Sequence, residues 1–227
     1  MFGKYFKMEQ VKYVLALSCI IPAAIGLFNL KKVEDKYLPF IFMMVLDVII
    51  ELISNFTRDH KLVNVYMLVD FSLFLYFVYN NKFLNKNLAK LFWGVAFLFF
   101  ISNCFYHGIV SMPSYTQLCF VSATMLFVFI SVLTKQITAL RVKLIDNFWF
   151  WLSSAFVLYN ANLLLLFSLY NFAMDKTLNG KVIIDNLWPF INTGSYIFFA
   201  VAMLKIPPKK RSEKTELAEQ NLNGYAV

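Results

Sequence analysis

Runs of about 20 apolar residues recur along this chain, and short polar or basic connections separate them. In a bilayer, every backbone polar group must find its hydrogen-bond partner within the protein, so each run predicts a membrane-spanning helix. Sixty per cent of the 227 residues are hydrophobic and 15% are charged. Ordinary soluble domains carry about 25% charged residues. The sequence therefore predicts an all-α polytopic membrane protein in contact with the lipid bilayer.

A hydropathy window of about 20 residues locates seven transmembrane helices. They are predicted at 13–30, 38–56, 62–80, 89–109, 114–134, 146–171 and 185–205. Residues 1–206 then form one transmembrane domain, and 207–227 form a basic and polar cytoplasmic tail. The alternative for the first run, which follows a basic leader, is a signal peptide.

The basic residues are distributed unevenly over the two sides of this topology. Seven Lys and Arg fall on the side of the N-terminus and fourteen on the other side, among the 21 of the chain. Basic residues favour the cytoplasm, which predicts a cytoplasmic C-terminus and an outside N-terminus, although three lysines before the first span favour the reverse. The net charge of +8 thus reflects loop charges and predicts no nucleic-acid partner. Richness in Lys, Asn, Phe and Ile indicates a bacterial inner membrane.

Three carboxylates, Asp47, Glu51 and Asp70, lie inside predicted spans where no Lys or Arg occurs at comparable depth. A charged side chain near the membrane centre costs roughly 2.5–3.5 kcal/mol even on a lenient scale. Such acids must be protonated, hydrated in a cavity or neutralised by a cation. We interpret them as a functional site, and structural hydrogen bonding is the alternative.

Polar residues concentrate from the middle of the predicted spans toward their outer ends, and many share a helix face at spacings of three or four residues. This pattern predicts an outward-facing pocket that binds a small-molecule or cationic ligand, or a proton. The candidate binding residues are Asp47, Glu51, Asn55, Tyr66, Asp70, Asn103, His107, Tyr159, Asn162, Trp188, Asn192 and Tyr196.

Catalytic and metal chemistry find little support in the sequence. The two histidines, His60 and His107, show no H-x-x-x-H spacing, and the three cysteines lie in apolar runs. Opsin chemistry requires a lysine midway along the seventh helix, whereas Lys205 lies at its end. We therefore expect no catalytic residue, no metal ion and no cofactor, and we do not predict an enzyme.

Two segments suggest an internal repeat. N-V-Y-M-L-V-D (64–70) and N-L-W-P-F-I-N (186–192) share a pattern of Asn, aromatic and Asp or Asn. Two triplets joined by a fourth helix would give a 3+1+3 parallel repeat, as in the sugar-efflux family of seven-helix transporters. The Pro-Gln signature of that family is absent here, and chance similarity between Phe- and Asn-rich segments is the alternative.

The stretch D-V-I-I-E-L-I-S-N-F (47–56) followed by Y-M-L-V-D-F-S-L-F-L-Y-F-V-Y (66–79) resembles small uncharacterised seven-transmembrane-helix bacterial membrane proteins associated with sensor histidine kinases. The resemblance implies a receptor-like sensory module. Because a tail of about 20 residues is too short for an output domain, signalling would pass to a separate cytoplasmic protein. The alternative function is a small-solute or cation- or proton-coupled transporter. The sequence does not decide the oligomeric state.

Overall fold

The computed structural model describes residues 17–57, 62–108, 114–139, 143–174 and 178–209. Side chains are described for these residues except 17, 55–57, 115, 139, 167–174, 178–189 and 191. All regular secondary structure in these ranges is helical, and one isolated antiparallel bridge pairs Val33 with Pro208. The predicted all-α class is confirmed.

Seven α-helices lie in the described ranges, and short 3-10 turns precede or connect several of them. They are α1 (Ile20–Asn29), α2 (Leu38–Thr57), α3 (Val63–Asn80), α4 (Lys86–His107), α5 (Tyr115–Ala139), α6 (Phe148–Met174) and α7 (Leu178–Leu204).

Five of the helical segments are long and apolar enough to cross a membrane, which is the pattern of a multi-pass membrane protein. These segments are Asp35–Ser54, Val63–Asn80, Lys86–His107, Thr116–Thr138 and Phe148–Leu166. The described part of α1 has 10 residues, about 15 Å of a hydrocarbon core of about 30 Å. In α7 the apolar segment is the shorter Asn192–Leu204. That α1 and α7 also span the membrane stays a prediction.

Polar residues at the helix starts explain several boundaries. Asn85 Oδ1 accepts a hydrogen bond from the backbone N–H of Leu88 at 2.8 Å, which caps α4. Ser114 Oγ likewise accepts from the Gln117 N–H at 3.2 Å at the start of α5. α4 ends at Gly108, whose φ of 86° suits glycine.

The helices pack as a closed ring in chain order. Each helix packs against the next one along the chain, and α7 returns to pack against α1. The connections that the sequence predicts as cytoplasmic meet at one end of this ring, which we call the basic end. Asn81 Nδ2 donates to the Lys36 carbonyl at 3.3 Å, and Lys205 Nζ pairs with Asp146 Oδ1 at 2.7 Å.

A layer of buried phenylalanines fills the ring on the side of the basic end. Phe156 on α6 stacks on Phe129 of α5 with centroids 4.2 Å apart and meets Phe199 of α7 edge-on at 4.9 Å. Phe40 on α2 contacts rings of α3, α6 and α7. We call this group the phenylalanine layer: Phe40, Phe74, Phe77, Phe129, Phe148, Phe156 and Phe199.

Candidate functional site

The acidic residues of α2 and α3 meet through a tyrosine. The Tyr66 hydroxyl on α3 donates a hydrogen bond to Asp47 Oδ1 on α2. Asp47 is the tenth residue of α2, so it lies about 14 Å along a helix that can cross a core of about 30 Å. Tyr66 and Asp70 lie one turn apart on the same face of α3, so Asp70 also lies on the side of α3 that faces Asp47.

Tyrosines of α6 and α7 complete the group. Tyr159 on α6 interacts electrostatically with Asp47 and Asp70. Tyr196 on α7 interacts electrostatically with Asp47, Glu51 and Tyr159. Four helices that are not all consecutive in the chain thus bring their polar side chains together. We call this group the acidic cluster: Asp47, Glu51, Tyr66, Asp70, Tyr159 and Tyr196.

The residues of the acidic cluster are half-buried rather than fully enclosed. Each side chain therefore keeps part of its surface accessible. Asp70 Oδ1 is itself buried and has no hydrogen-bond partner. An unsatisfied buried carboxylate oxygen is costly, and it is a place where a cation, a proton or water gains a hydrogen bond.

The stretches of sequence that carry these carboxylates contain no Lys or Arg. The sequence has no Lys or Arg from residue 37 to 57, from 62 to 81, from 144 to 175 or from 182 to 204. The ion pairs of the described residues lie instead at the basic end, between Lys36 and Glu34, Lys205 and Asp146, and Lys209 and Asp35. The acidic cluster therefore lies on helix segments without Lys or Arg, away from these three ion pairs.

Cys19, one of the three cysteines in the apolar runs of the sequence, borders the acidic cluster. Its side chain is buried and interacts electrostatically with Asp47 and Glu51. The neighbouring Ser18 has a buried Oγ without a hydrogen-bond partner. The sequence does not predict that Ser18 and Cys19 lie beside the acidic cluster, because that position depends on how α1 packs against α2 and α7.

The predicted asparagines of α6 and α7 take different roles. Asn192 is half-buried, and its Oδ1 has no hydrogen-bond partner. Asn162 donates to the Leu158 carbonyl of its own helix at 2.7 Å, so its amide satisfies the backbone one turn earlier. The neighbouring Asn160 is buried and donates to the Phe156 carbonyl at 2.9 Å.

The remaining predicted site residues lie away from the described contacts of the acidic cluster. Asn103 on α4 is buried, and His107 at the end of α4 is exposed beside Tyr106. The side chains of Asn55 and Trp188 lie outside the described residues. The position of these four residues in a binding pocket stays a prediction.

Within the residues that the structure describes, no three His, Cys, Asp or Glu side chains gather closely enough to hold a metal ion. In chemical terms, the acidic cluster offers groups that can bind a cation. Carboxylates supply charge and hydrogen-bond acceptors, and tyrosine rings offer a face to a cation. Comparisons with models of protein families, with curated proteins and with solved structures found no match to this chain.

Proposed function

We propose that this protein is a receptor-like sensory membrane module whose acidic cluster binds a small amine-bearing or cationic ligand, or a proton. The proposal rests on one observation: Asp47, Tyr66 and Asp70 interact with one another and with tyrosines of α6 and α7, on stretches of sequence without Lys or Arg. In this proposal a cation neutralises the buried acids and satisfies the free Asp70 oxygen.

The proposed topology has seven spans in the inner membrane of a bacterium, with the N-terminus outside and the C-terminus in the cytoplasm. Its support is the charge bias of the connections together with their meeting at one end of the ring. The basic end would then face the cytoplasm, and the acidic cluster would open toward the outside.

The phenylalanine layer favours sensing over transport. On α2, α3, α6 and α7 it lies between the acidic cluster and the basic end, because Phe40, Phe74, Phe156 and Phe199 each follow the polar residue of their helix toward that end. A packed aromatic layer is an obstacle to a hydrated cation. The proposed pocket is thus sealed on the side of the basic end.

A ligand in the acidic cluster would act on the basic end through the helices that hold it. The end of α7 contacts the connection between α1 and α2 through the Val33–Pro208 bridge, and it contacts the start of α6 through Lys205 and Asp146. A small shift of α7 therefore changes the surface that the basic end presents. The proposed cytoplasmic signalling protein, which the resemblance to kinase-associated proteins implies, would read this surface.

A thermal-shift screen tests the proposal. Purified protein is heated with amines, amino acids and metal ions and over a range of pH, in parallel with Asp70→Asn and with the surface control Asp146→Asn. We expect a cationic compound or acidic pH to raise the unfolding midpoint of the wild type and of Asp146→Asn, but not of Asp70→Asn. Equal shifts in all three proteins contradict the proposal.

The second candidate function is a small-solute or cation- or proton-coupled transporter of 3+1+3 architecture. It is favoured by the peripheral position of α4, whose membrane segment is only 11% buried, as a helix linking two triplets would be. Uptake of the stabilising compound into proteoliposomes distinguishes the two functions. Saturable uptake that Asp70→Asn abolishes favours the transporter, and binding without uptake favours the sensor.

A further inference from the structure

A groove on the outer surface of the ring lies where α3 ends and α4 begins. It has a volume of about 290 Å³ and is lined by Leu75, Tyr76, Tyr79, Lys86, Ala89, Lys90 and Trp93. The helices on both sides are candidate membrane spans, and these residues belong to their terminal turns at the basic end. The groove therefore lies at the level of the membrane interface, and it is separate from the acidic cluster inside the ring.

The groove combines positive charge with aromatic side chains. Lys86 and Lys90 are one turn apart on α4 and share a face, and both are exposed. No Asp or Glu occurs between Asp70 and Asp146, so this part of the chain offers the two lysines no acidic neighbour in sequence. The ion pairs of the described residues at this end involve Lys36, Lys205 and Lys209 but neither Lys86 nor Lys90, so both can pair with an anion.

The aromatic wall is held in place. Trp93 is 41% exposed, yet its indole N–H donates to Ser72 Oγ at 2.9 Å, and Ser72 donates to the Leu68 carbonyl at 2.7 Å. Phe97 stacks on Trp93 with centroids 4.9 Å apart, one turn further into the membrane. This arrangement places charge at the interface and a fixed apolar track beside the acyl chains.

We infer that this groove binds an anionic phospholipid, with the phosphate between Lys86 and Lys90, the glycerol region against Tyr76 and Tyr79, and an acyl chain along Trp93 and Phe97. The volume equals roughly ten water molecules, which suits a phosphate and glycerol group and leaves the chains outside on α4. A free anion would use the lysines but not the aromatic track, so the combination selects a lipid.

Native mass spectrometry of the full chain, released from neutral detergent with phosphatidylglycerol or phosphatidylcholine added, tests this inference. We expect one phosphatidylglycerol to be retained in preference to phosphatidylcholine. In Lys86→Gln/Lys90→Gln the apparent Kd for phosphatidylglycerol should rise by roughly ten- to thirtyfold. Lys31→Gln/Lys32→Gln removes the same charge from another exposed connection of the basic end and should leave the Kd within about twofold.

A second variant separates the groove from charge alone. Trp93→Ala keeps both lysines but removes the aromatic wall. We expect its apparent Kd for phosphatidylglycerol to rise several-fold, while its unfolding midpoint stays that of the wild type. Equal losses in the two lysine pairs would assign the effect to diffuse charge and overturn the inference. Equal binding of phosphatidylcholine, or displacement of the lipid by millimolar inorganic phosphate, would overturn it as well.

Discussion

At the scale of single residues, the acidic cluster consists of side chains that stabilise the fold and side chains that do not. Asp47 accepts a hydrogen bond from Tyr66 and so joins α2 to α3. Asp70 is half-buried, and its Oδ1 has no hydrogen-bond partner. An acid of this kind inside a membrane span is a candidate for function rather than for stabilisation. Two substitutions separate these roles.

Tyr66→Phe removes the hydroxyl that donates to Asp47 and keeps the ring. We expect the free energy of unfolding to fall by about 1–3 kcal/mol, because the Asp47 oxygen then lacks its partner. Thermal unfolding in detergent measures the loss, and Tyr106→Phe, at a tyrosine that is 81% exposed, is the control. Equal midpoints for the two variants would mean that the Tyr66–Asp47 bond contributes nothing to the fold.

Asp70→Asn should act in the opposite direction. The amide keeps the size of the carboxyl group and removes an uncompensated charge, so without added ligand at neutral pH we expect stability to rise by about 1–3 kcal/mol. Asp146→Asn, which breaks an exposed ion pair with Lys205, should lower it by at most about 1 kcal/mol. A clear destabilisation by Asp70→Asn would identify a structural carboxylate instead.

At the scale of the helices, close approach holds α1 in the ring. A Cβ atom on Gly26 would lie 3.1 Å from Ile41 Cγ2 of α2 and 3.3 Å from Met203 Cε of α7. Lipid chains are as apolar as leucine, so helix association in a membrane depends on packing of this kind. A Cβ on Gly94 of α4 would meet nothing within 4 Å. The two glycines form a matched pair.

Gly26→Leu should destabilise the protein by about 1–3 kcal/mol or more, since a whole side chain has no space between α1, α2 and α7. Gly94→Leu should be neutral or stabilising by up to about 1 kcal/mol, because leucine is the better helix former. Unfolding midpoints of both variants, at equal detergent concentration, check the pair. Similar losses of stability in the two variants would mean that Gly94 packs against another helix, which contradicts the open space beside it.

Hydrophobic runs predict where the helices lie better than where they begin. The fourth span is predicted from 89, whereas α4 starts at Lys86, and the seventh is predicted from 185, whereas α7 starts at Leu178. Hydropathy discounts Lys86 and Lys181, yet lysine is a good helix former and both fit a helix. The start of α4 follows instead from the Asn85 cap, which hydropathy does not detect.

The sequence predicts one part of the candidate site and not the other. Spacing of four residues predicts that Asp47 lies with Glu51 and Tyr66 with Asp70, because neighbours on one helix follow from its period. Contacts between helices do not follow from that period. The place of Cys19 beside Asp47 and the bond of Asn162 to its own helix both depend on packing and on local hydrogen bonding.

At the scale of the whole molecule, the described part of the ring has a basic end with an aromatic layer next to it. The connections at the basic end contact one another through Lys205 and Asp146 and through Val33 and Pro208. The phenylalanine layer lies next, and the acidic cluster lies beyond it. An asymmetric arrangement of this kind suits a protein that receives a ligand on one side and presents a changed surface on the other.

The membrane topology follows from this asymmetry. We expect a C-terminal tag to be accessible from the cytoplasm only, and a tag inserted in the connection between α6 and α7 to be accessible from the outside only. The reason is the excess of basic residues at the basic end. Protease or antibody access in right-side-out and inside-out vesicles measures both tags. Tags accessible from the same side would mean that α7 does not cross the membrane.

We propose an acidic hollow, formed by four helices, that opens away from the basic end. Charge-selective labelling of Tyr196→Cys, with the three native cysteines replaced by alanine, tests it most directly. A membrane-impermeant cationic thiol reagent, applied from the outside, should react roughly tenfold faster than an anionic reagent of equal size, because clustered acids concentrate cations. The preference should disappear when Glu51→Gln and Asp70→Asn are added. Equal rates for both reagents, or labelling from the cytoplasmic side alone, would contradict the account.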